Sequence, residues 1–262
     1  MLMKYVFIPM WAAACILLGA CGKQNNDAPA AASAPASGSV YRVRMSPPGY
    51  APLNFRSATG APQGFEHDIL QEIAKRSGIS FDYGYLPWAQ LFAALEAGQA
   101  DLLASGISIT EERKAKYGMS QDYLEVSPVV IVTKDPNVKS FKDLAQRNVS
   151  VKRHSGHEKL LLELNKNSSD YAVYAESSWL TVQKVISDEA AGTLGDSSIM
   201  SAFVANHPNQ GLRLVVDNGY AKDYYGFVVR KDDTVLLDKV NRALDAMKKD
   251  GTYQQIVDKW FK

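Results

Sequence analysis

The sequence predicts an α/β protein whose folded part consists of two similar blocks with a cleft between them. Three observations predict this. From Tyr41 onward, segments with helical apolar spacing alternate with short strand-like runs, the signature of parallel α/β sheets. The alternation restarts after the continuous apolar run "PVVIVTK" (128–134). The chain's 262 residues, 46% of them hydrophobic, can bury one large core or two smaller ones. The two blocks share element order but no sequence repeat.

The first block begins with "YRVRM", read as a strand. "GFEHDILQEIAKRSG" places Phe65, Ile69, Leu70, Ile73 and Ala74 at helical spacing and stops at Gly78. "SFDYGYL" reads as a strand, "WAQLFAALEAG" as a helix ending at Gly98, and "ADLLAS" as a strand. Glu111 to Tyr117 reads as a short helix, and "PVVIVTK" as a strand buried on both faces.

The second block repeats the alternation. A short helix at "SFKDL" leads to a strand at "NVSVKR", a helix at "GHEKLLLELNKN" and a strand at "DYAVYA". "SWLTVQKVISDEA" is the next helix, "AGTLGD" a strand, "SSIMSAFVANHP" a helix and "LRLVVD" a strand. "YYGFVVRKDD" reads as one further strand. A long amphipathic helix through Leu237, Val240, Leu244 and Met247 breaks at Gly251 and resumes through Tyr253, Ile256, Val257 and Trp260.

Ahead of these blocks, residues 1–20 read as a targeting segment. "MLMK" supplies a positive charge, and the apolar run Tyr5 to Leu18, interrupted by Pro9, is shorter than the roughly 18–20 residues needed to span a bilayer. It ends in Leu18-Gly19-Ala20-Cys21, which resembles the lipobox of bacterial lipoproteins. That resemblance implies cleavage before Cys21 and lipidation of its thiol. Several acyl chains, at about 0.8 kcal/mol per buried CH₂, would anchor the protein stably. Cys15 leaves with the signal peptide, so neither a disulfide nor thiolate chemistry is expected. The Ala-, Pro- and Ser-rich stretch after Cys21, up to residue 40, reads as a flexible tether. Losing residues 1–20 removes only Lys4, so the formal charge falls from +1 to zero. A neutral chain without a basic stripe gives no electrostatic reason to bind nucleic acid.

"SGISITEER" (105–113) carries the clearest chemical signal. Thr110 suits a helix N-cap, and Glu111 and Glu112 suit the first turn. Arg113 does not, because a helix N-terminus repels cations and attracts anions. An arginine there either pairs with its neighbouring glutamates or awaits an external anion.

Several further blocks, in order, carry a resemblance: "YAPLNF", "GFEHDIL", "LEAGQADLLASGISITEERK", "SVKRHSGHEKL", "GTLGD" and "YGFVVRKDDTVLLDKVNRALDAMKKDGTYQQIVDKWF". From about Tyr41 to Lys262 the chain resembles the extracellular solute-binding proteins of family 3, the amino-acid-binding components of ATP-binding-cassette (ABC) importers. The resemblance implies a two-lobed type II periplasmic-binding fold. Residues 41–130 and 225–262 would form lobe 1, and 131–224 lobe 2. Crossovers are expected at about Val130–Lys134 and Asn218–Phe227, with hinge closure on ligand.

The resemblance also implies roles. Arg113 would grip the α-carboxylate of a bound L-amino acid, with helix N–H groups and the Thr110 and Ser108 region adding donors, and Ser105 and Gly106 of the same loop would also bind the ligand. Asp196 would accept the α-ammonium, its alternative role being a helix N-cap. Tyr50 and Trp88 would sandwich the ligand side chain, or else pack in the core. Ser155 and Gly156 would present donors from lobe 2. Lys152, otherwise an exposed strand residue, would favour a polar, neutral or acidic ligand tip. Pro47 stands where several members that bind basic or amide side chains have an aspartate, which makes lysine and arginine less suitable ligands. His154 and His157, lacking carboxylate or cysteine company, make a poor metal site.

The function so implied is that of a monomeric, non-enzymatic binding lipoprotein without cofactors. It would face the periplasm from the bacterial cell envelope and serve an ABC permease. Gly22, where an aspartate is associated with inner-membrane retention, hints at the outer membrane. The alternatives are a periplasmic enzyme resembling cyclohexadienyl dehydratase, with Asp188 or Glu189 as acid, and a surface amino-acid sensor.

Overall fold

The computed structural model describes residues 38–46, 52–126 and 129–261. The signal segment, Cys15, Cys21 and most of the tether lie outside the described residues, as do Pro47 and Tyr50. Among the described residues, no helix is long and apolar enough to cross a membrane.

The first block comprises β1 (Val40–Met45), the small hairpin of β2 (Phe55–Arg56) and β3 (Pro62–Gln63), and α1 (Phe65–Ser77). It continues with β4 (Ser80–Tyr85), α2 (Trp88–Glu96), β5 (Leu102–Leu103), α3 (Glu111–Lys116), β6 (Tyr117–Met119) and β7 (Leu124–Val126). The second contains β8 (Val130–Thr133), a 3₁₀ turn at Phe141–Leu144, β9 (Val149–Val151), α4 (Gly156–Leu164), β10 (Ala172–Tyr174), α5 (Ser178–Ile186), β11 (Gly192–Gly195) and α6 (Ser197–Asn206). After β12 (Arg213–Val216) the chain runs through β13 (Asp223–Tyr225), β14 (Val228–Arg230), α7 (Thr234–Asp250) and α8 (Thr252–Phe261).

Two five-stranded sheets of matching design result, ordered β4-β1-β5-β14-β6 and β10-β9-β11-β8-β12. In each, the first three strands are parallel and joined through helices, as the alternation predicts. The expectation of parallel sheets fails beyond them. β14 runs antiparallel to β5, and β8 antiparallel to β11. Both strands enter their sheet from the other block, so no βαβ crossover dictates their direction.

The connection between the sheets also departs from expectation. Val130–Thr133, expected to cross between lobes, is instead a strand inside the second sheet, flanked by β11 and β12. The chain passes between sheets through β7 and returns through β13. These two pair antiparallel, with Asp223 opposite Val126 and Tyr225 opposite Leu124. "YYGFVVRKDD" therefore holds pieces of two strands with a break at Gly226. A Cβ on Gly226 would lie 2.9 Å from Ile109 and 3.2 Å from the Ser120 carbonyl oxygen, so this close approach requires glycine.

The apolar periodicities account for the cores. Val43, Met45, Ile69, Leu70, Ile73 and Leu102 are buried together with Val240, Leu244 and Met247 of α7. In the second block Ile131, Leu144, Val149, Val151, Leu161 and Leu194 form a separate cluster. All four β8 residues are buried, matching the unbroken apolar run. α7 and α8 return to pack against α1.

Candidate functional site

The loop ahead of α3 is stitched to the returning crossover. The Gly226 N–H donates to the Ile107 carbonyl at 3.0 Å, and the Ile109 N–H donates to the Tyr224 carbonyl at 2.8 Å. Ser108 bridges to Tyr225 between these bonds. Gly106 sits at φ 59 with the Tyr225 ring 3.0 Å from where a Cβ would be, so only glycine fits without strain. Its N–H donates to the buried Glu66 carboxylate at 2.7 Å.

Thr110 caps α3 as predicted, its hydroxyl accepting the Arg113 N–H at 3.2 Å. The Arg113 guanidinium does not join the surface charges. Glu111 pairs with Lys114 at 2.9 Å, and among the described residues Arg113 makes no ion pair. Its Nη1 donates to the Ser108 carbonyl at 2.8 Å, and its Cζ lies 5.4 Å from the centre of the Phe92 ring. Burial lowers its pKa, opposed by Asp223 and Glu112. A guanidinium nonetheless stays charged and keeps its remaining donors for another acceptor.

Asp196 comes from the other sheet, at the end of β11. It occupies the N-cap position of α6, yet its side chain makes no capping bond. It is buried, with Oδ1 3.9 Å from His157 Nε2. Ser155 caps α4, accepting the Glu158 N–H at 3.1 Å and donating to the Lys152 carbonyl at 2.7 Å. Lys152 lies past the end of β9 and is buried, with Nζ 4.1 Å from the centre of the Trp88 ring. Burial pulls its pKa down to about 8, with Asp196 opposing and Arg113 adding to the shift.

These groups converge. A cavity of about 250 Å³ is lined by Trp88, Gly106, Ser108 and Arg113 from the first block, and by Lys152, Ser155, Gly156 and Asp196 from the second. Trp88 also packs in a core with Leu91 and Leu95, and its Nε1–H donates across the cleft to the Arg153 carbonyl at 3.0 Å. Its packing and cleft readings therefore hold together. Ser105 is not on the cavity wall. Its hydroxyl is buried and accepts the Ser46 N–H at 2.6 Å. Asp188 and Glu189 lie on the outer surface of the second block, paired with Lys134 and Lys184 and not lining this cavity.

Asp223, His157, Lys222 and Tyr225 also line the cavity, and sequence reasoning did not single them out as ligand contacts. Asp223 is joined to Ser108 across 115 residues of sequence, so only the tertiary fold brings them together. A charged residue beside two tyrosines was the available signal. The arrangement places a fixed cation on one side of a small cavity and a buried carboxylate on the other. It is suited to a ligand carrying both charges.

Residues 43–262 match the family described as bacterial extracellular solute-binding proteins, family 3. A probable histidine-binding protein of Neisseria gonorrhoeae is 32% identical over 252 residues, spanning 95% of this chain and 92% of that protein. The ABC transporter arginine-binding protein 1 of Escherichia coli K12 is 29% identical over 216 residues, 81% of this chain and 87% of its own. Among solved structures, an ancestral arginine-binding protein bound to arginine superimposes with a TM-score of 0.79. It is 30% identical and covers 85% of this chain and 98% of its own. The chain belongs to the bacterial extracellular solute-binding proteins, family 3.

Proposed function

We propose that the protein captures an L-amino acid between its two lobes and hands it to the permease of an ABC importer. The observation that carries this reading is the meeting of Arg113 of α3 and Asp196 at the start of α6, from the two blocks, on one cavity. The Arg113 fork would hold the α-carboxylate and Asp196 the α-ammonium. Trp88 would cover the side chain, and Gly156 would present the N-terminus of α4. Tyr50 would complete the aromatic cover. We assign residues 41–123 and 226–262 to lobe 1 and 129–222 to lobe 2, with the β7–β13 ribbon between them as hinge.

Lys152 sets the ligand class. A buried ammonium beside Trp88 and Asp196 repels a cationic ligand tip and suits a polar neutral or acidic one. The relatives above bind histidine or arginine by name, so this chain would differ from them in specificity. Their being binding proteins favours binding over catalysis here. Cys21 would carry the lipid anchor, tethering a monomer in the cell envelope.

A thermal-shift screen of the twenty amino acids plus cystine tests the reading. One or two polar ligands should raise the melting temperature by several degrees. No shift with any of them would overturn it. Mass spectrometry of the membrane-associated protein should find acyl chains on Cys21, and an unmodified Cys21 would refute the anchor.

A further inference from the structure

Within the amino-acid-binding reading above, we propose that Asp223 is a positioning residue that makes Ser108 an acceptor for the ligand's ammonium group. A serine hydroxyl has one proton and two lone pairs. The Ser108 hydroxyl donates that proton to Asp223 Oδ2 at 2.5 Å. The other oxygen, Oδ1, accepts the Tyr224 N–H at 2.7 Å, which holds the carboxylate in place. With its proton committed, Ser108 Oγ offers the cavity only lone pairs. It therefore does not serve a ligand carboxylate, which needs donors, but an ammonium, which needs acceptors.

The cavity is thereby sorted by role. On the first block Arg113 supplies donors and the Ser108 oxygen beside it an acceptor, and Asp196 supplies acceptors from the second block. Asp223 adds its charge through the hydroxyl, and a charged acceptor strengthens the chain of hydrogen bonds. The charged groups around Asp223 are Asp196 at the start of α6, His157 of α4, Arg113 of α3 and the adjoining Lys222. Burial raises the Asp223 pKa. The bonds from Ser108 and Tyr224 oppose this, Asp196 adds to it, and His157 opposes it. As pH falls, Asp223 takes up a proton, no longer requires the Ser108 proton, and lets the hydroxyl turn.

The test is calorimetry with each of the twenty L-amino acids and L-cystine. It uses wild type, Asp223→Asn, Ser108→Ala and the double variant. Each single change should weaken the binding amino acid by roughly tenfold or more, the size of a hydrogen bond to a charged group. The double variant should bind no more weakly than the worse single, because both changes remove one path. Unchanged affinity in Asp223→Asn, or losses that multiply in the double variant, would overturn the proposal. Should Asp223→Asn not fold, wild type and Ser108→Ala are compared as pH falls from 7 to about 4. Wild-type affinity should fall more steeply, and parallel curves would contradict the proposal. A wild-type protein that binds none of these ligands removes the parent reading and this inference together.

Discussion

A cation near the start of a helix opposes the helix dipole, and Arg113 stands there with no ion pair among the described residues while its surface neighbours Glu111 and Lys114 pair with each other. Such an arrangement suits an external anion. Arg113→Ala should weaken amino-acid binding on the order of a hundredfold or more, measured by calorimetry. It should leave the unliganded melting temperature close to wild type. A large unliganded loss would mean that Arg113 serves the fold instead. Lys152 gives the converse prediction. Its pKa falls from 10.5 to about 8 in the folded protein, so below pH 8 the fold carries a charge it disfavours. The unfolded chain binds the extra proton between about 8 and 10.5, so stability from this group rises with pH across that window. Lys152→Met should therefore stabilise the unliganded protein at pH 7 by about 3 kcal/mol at most. The gain should vanish above about pH 10.5, as denaturant unfolding across pH would show. The charged ends of the site were legible in the sequence because Arg113 breaks a helix-terminus rule and Asp196 follows a glycine-flanked strand. The commitment of Ser105 to the Ser46 N–H was not, since it depends on packing between strands far apart in sequence.

The elements that carry the site are short, and their caps matter. α3 has six residues and fully buries none of them, so its start depends on Thr110 and on the loop's bonds to the crossover. Thr110→Ala should cost about 1 kcal/mol, a drop of roughly 2–4 °C in melting temperature, and should also weaken ligand binding by loosening Arg113. An unchanged melting temperature would show that the loop's backbone bonds suffice. Helix positions were well predicted from apolar spacing and from glycine stops at Gly78 and Gly251. Strand roles were harder to read. "PVVIVTK" looks the same whether it crosses between lobes or lies inside a sheet, because either place buries it. The crossover itself, β7 with β13, mixes charged and aromatic residues and has no simple periodicity. That is why Asp223 escaped notice.

At the scale of the whole molecule, two sheets of the same design face a shared cavity and are joined by one two-stranded ribbon. Contacts across the cleft, such as Trp88 Nε1–H to the Arg153 carbonyl, join the two sides in the form described. A ligand that binds both sides favours closure by its differential affinity for the closed state. Small-angle scattering should accordingly show a smaller radius of gyration with the bound amino acid than without it. An unchanged radius would count against hinge closure. The repeated element order makes the two-block architecture legible in the sequence, whereas the antiparallel strands arise from exchange between blocks, which no single block's pattern contains. The central claim is that Arg113 and Asp196 hold opposite ends of one amino acid. A crystal structure with the amino acid that gives the largest thermal shift tests it most directly. The α-carboxylate should lie on the Arg113 guanidinium and the α-ammonium on the Asp196 carboxylate. A ligand bound elsewhere, or held by neither residue, would contradict the account.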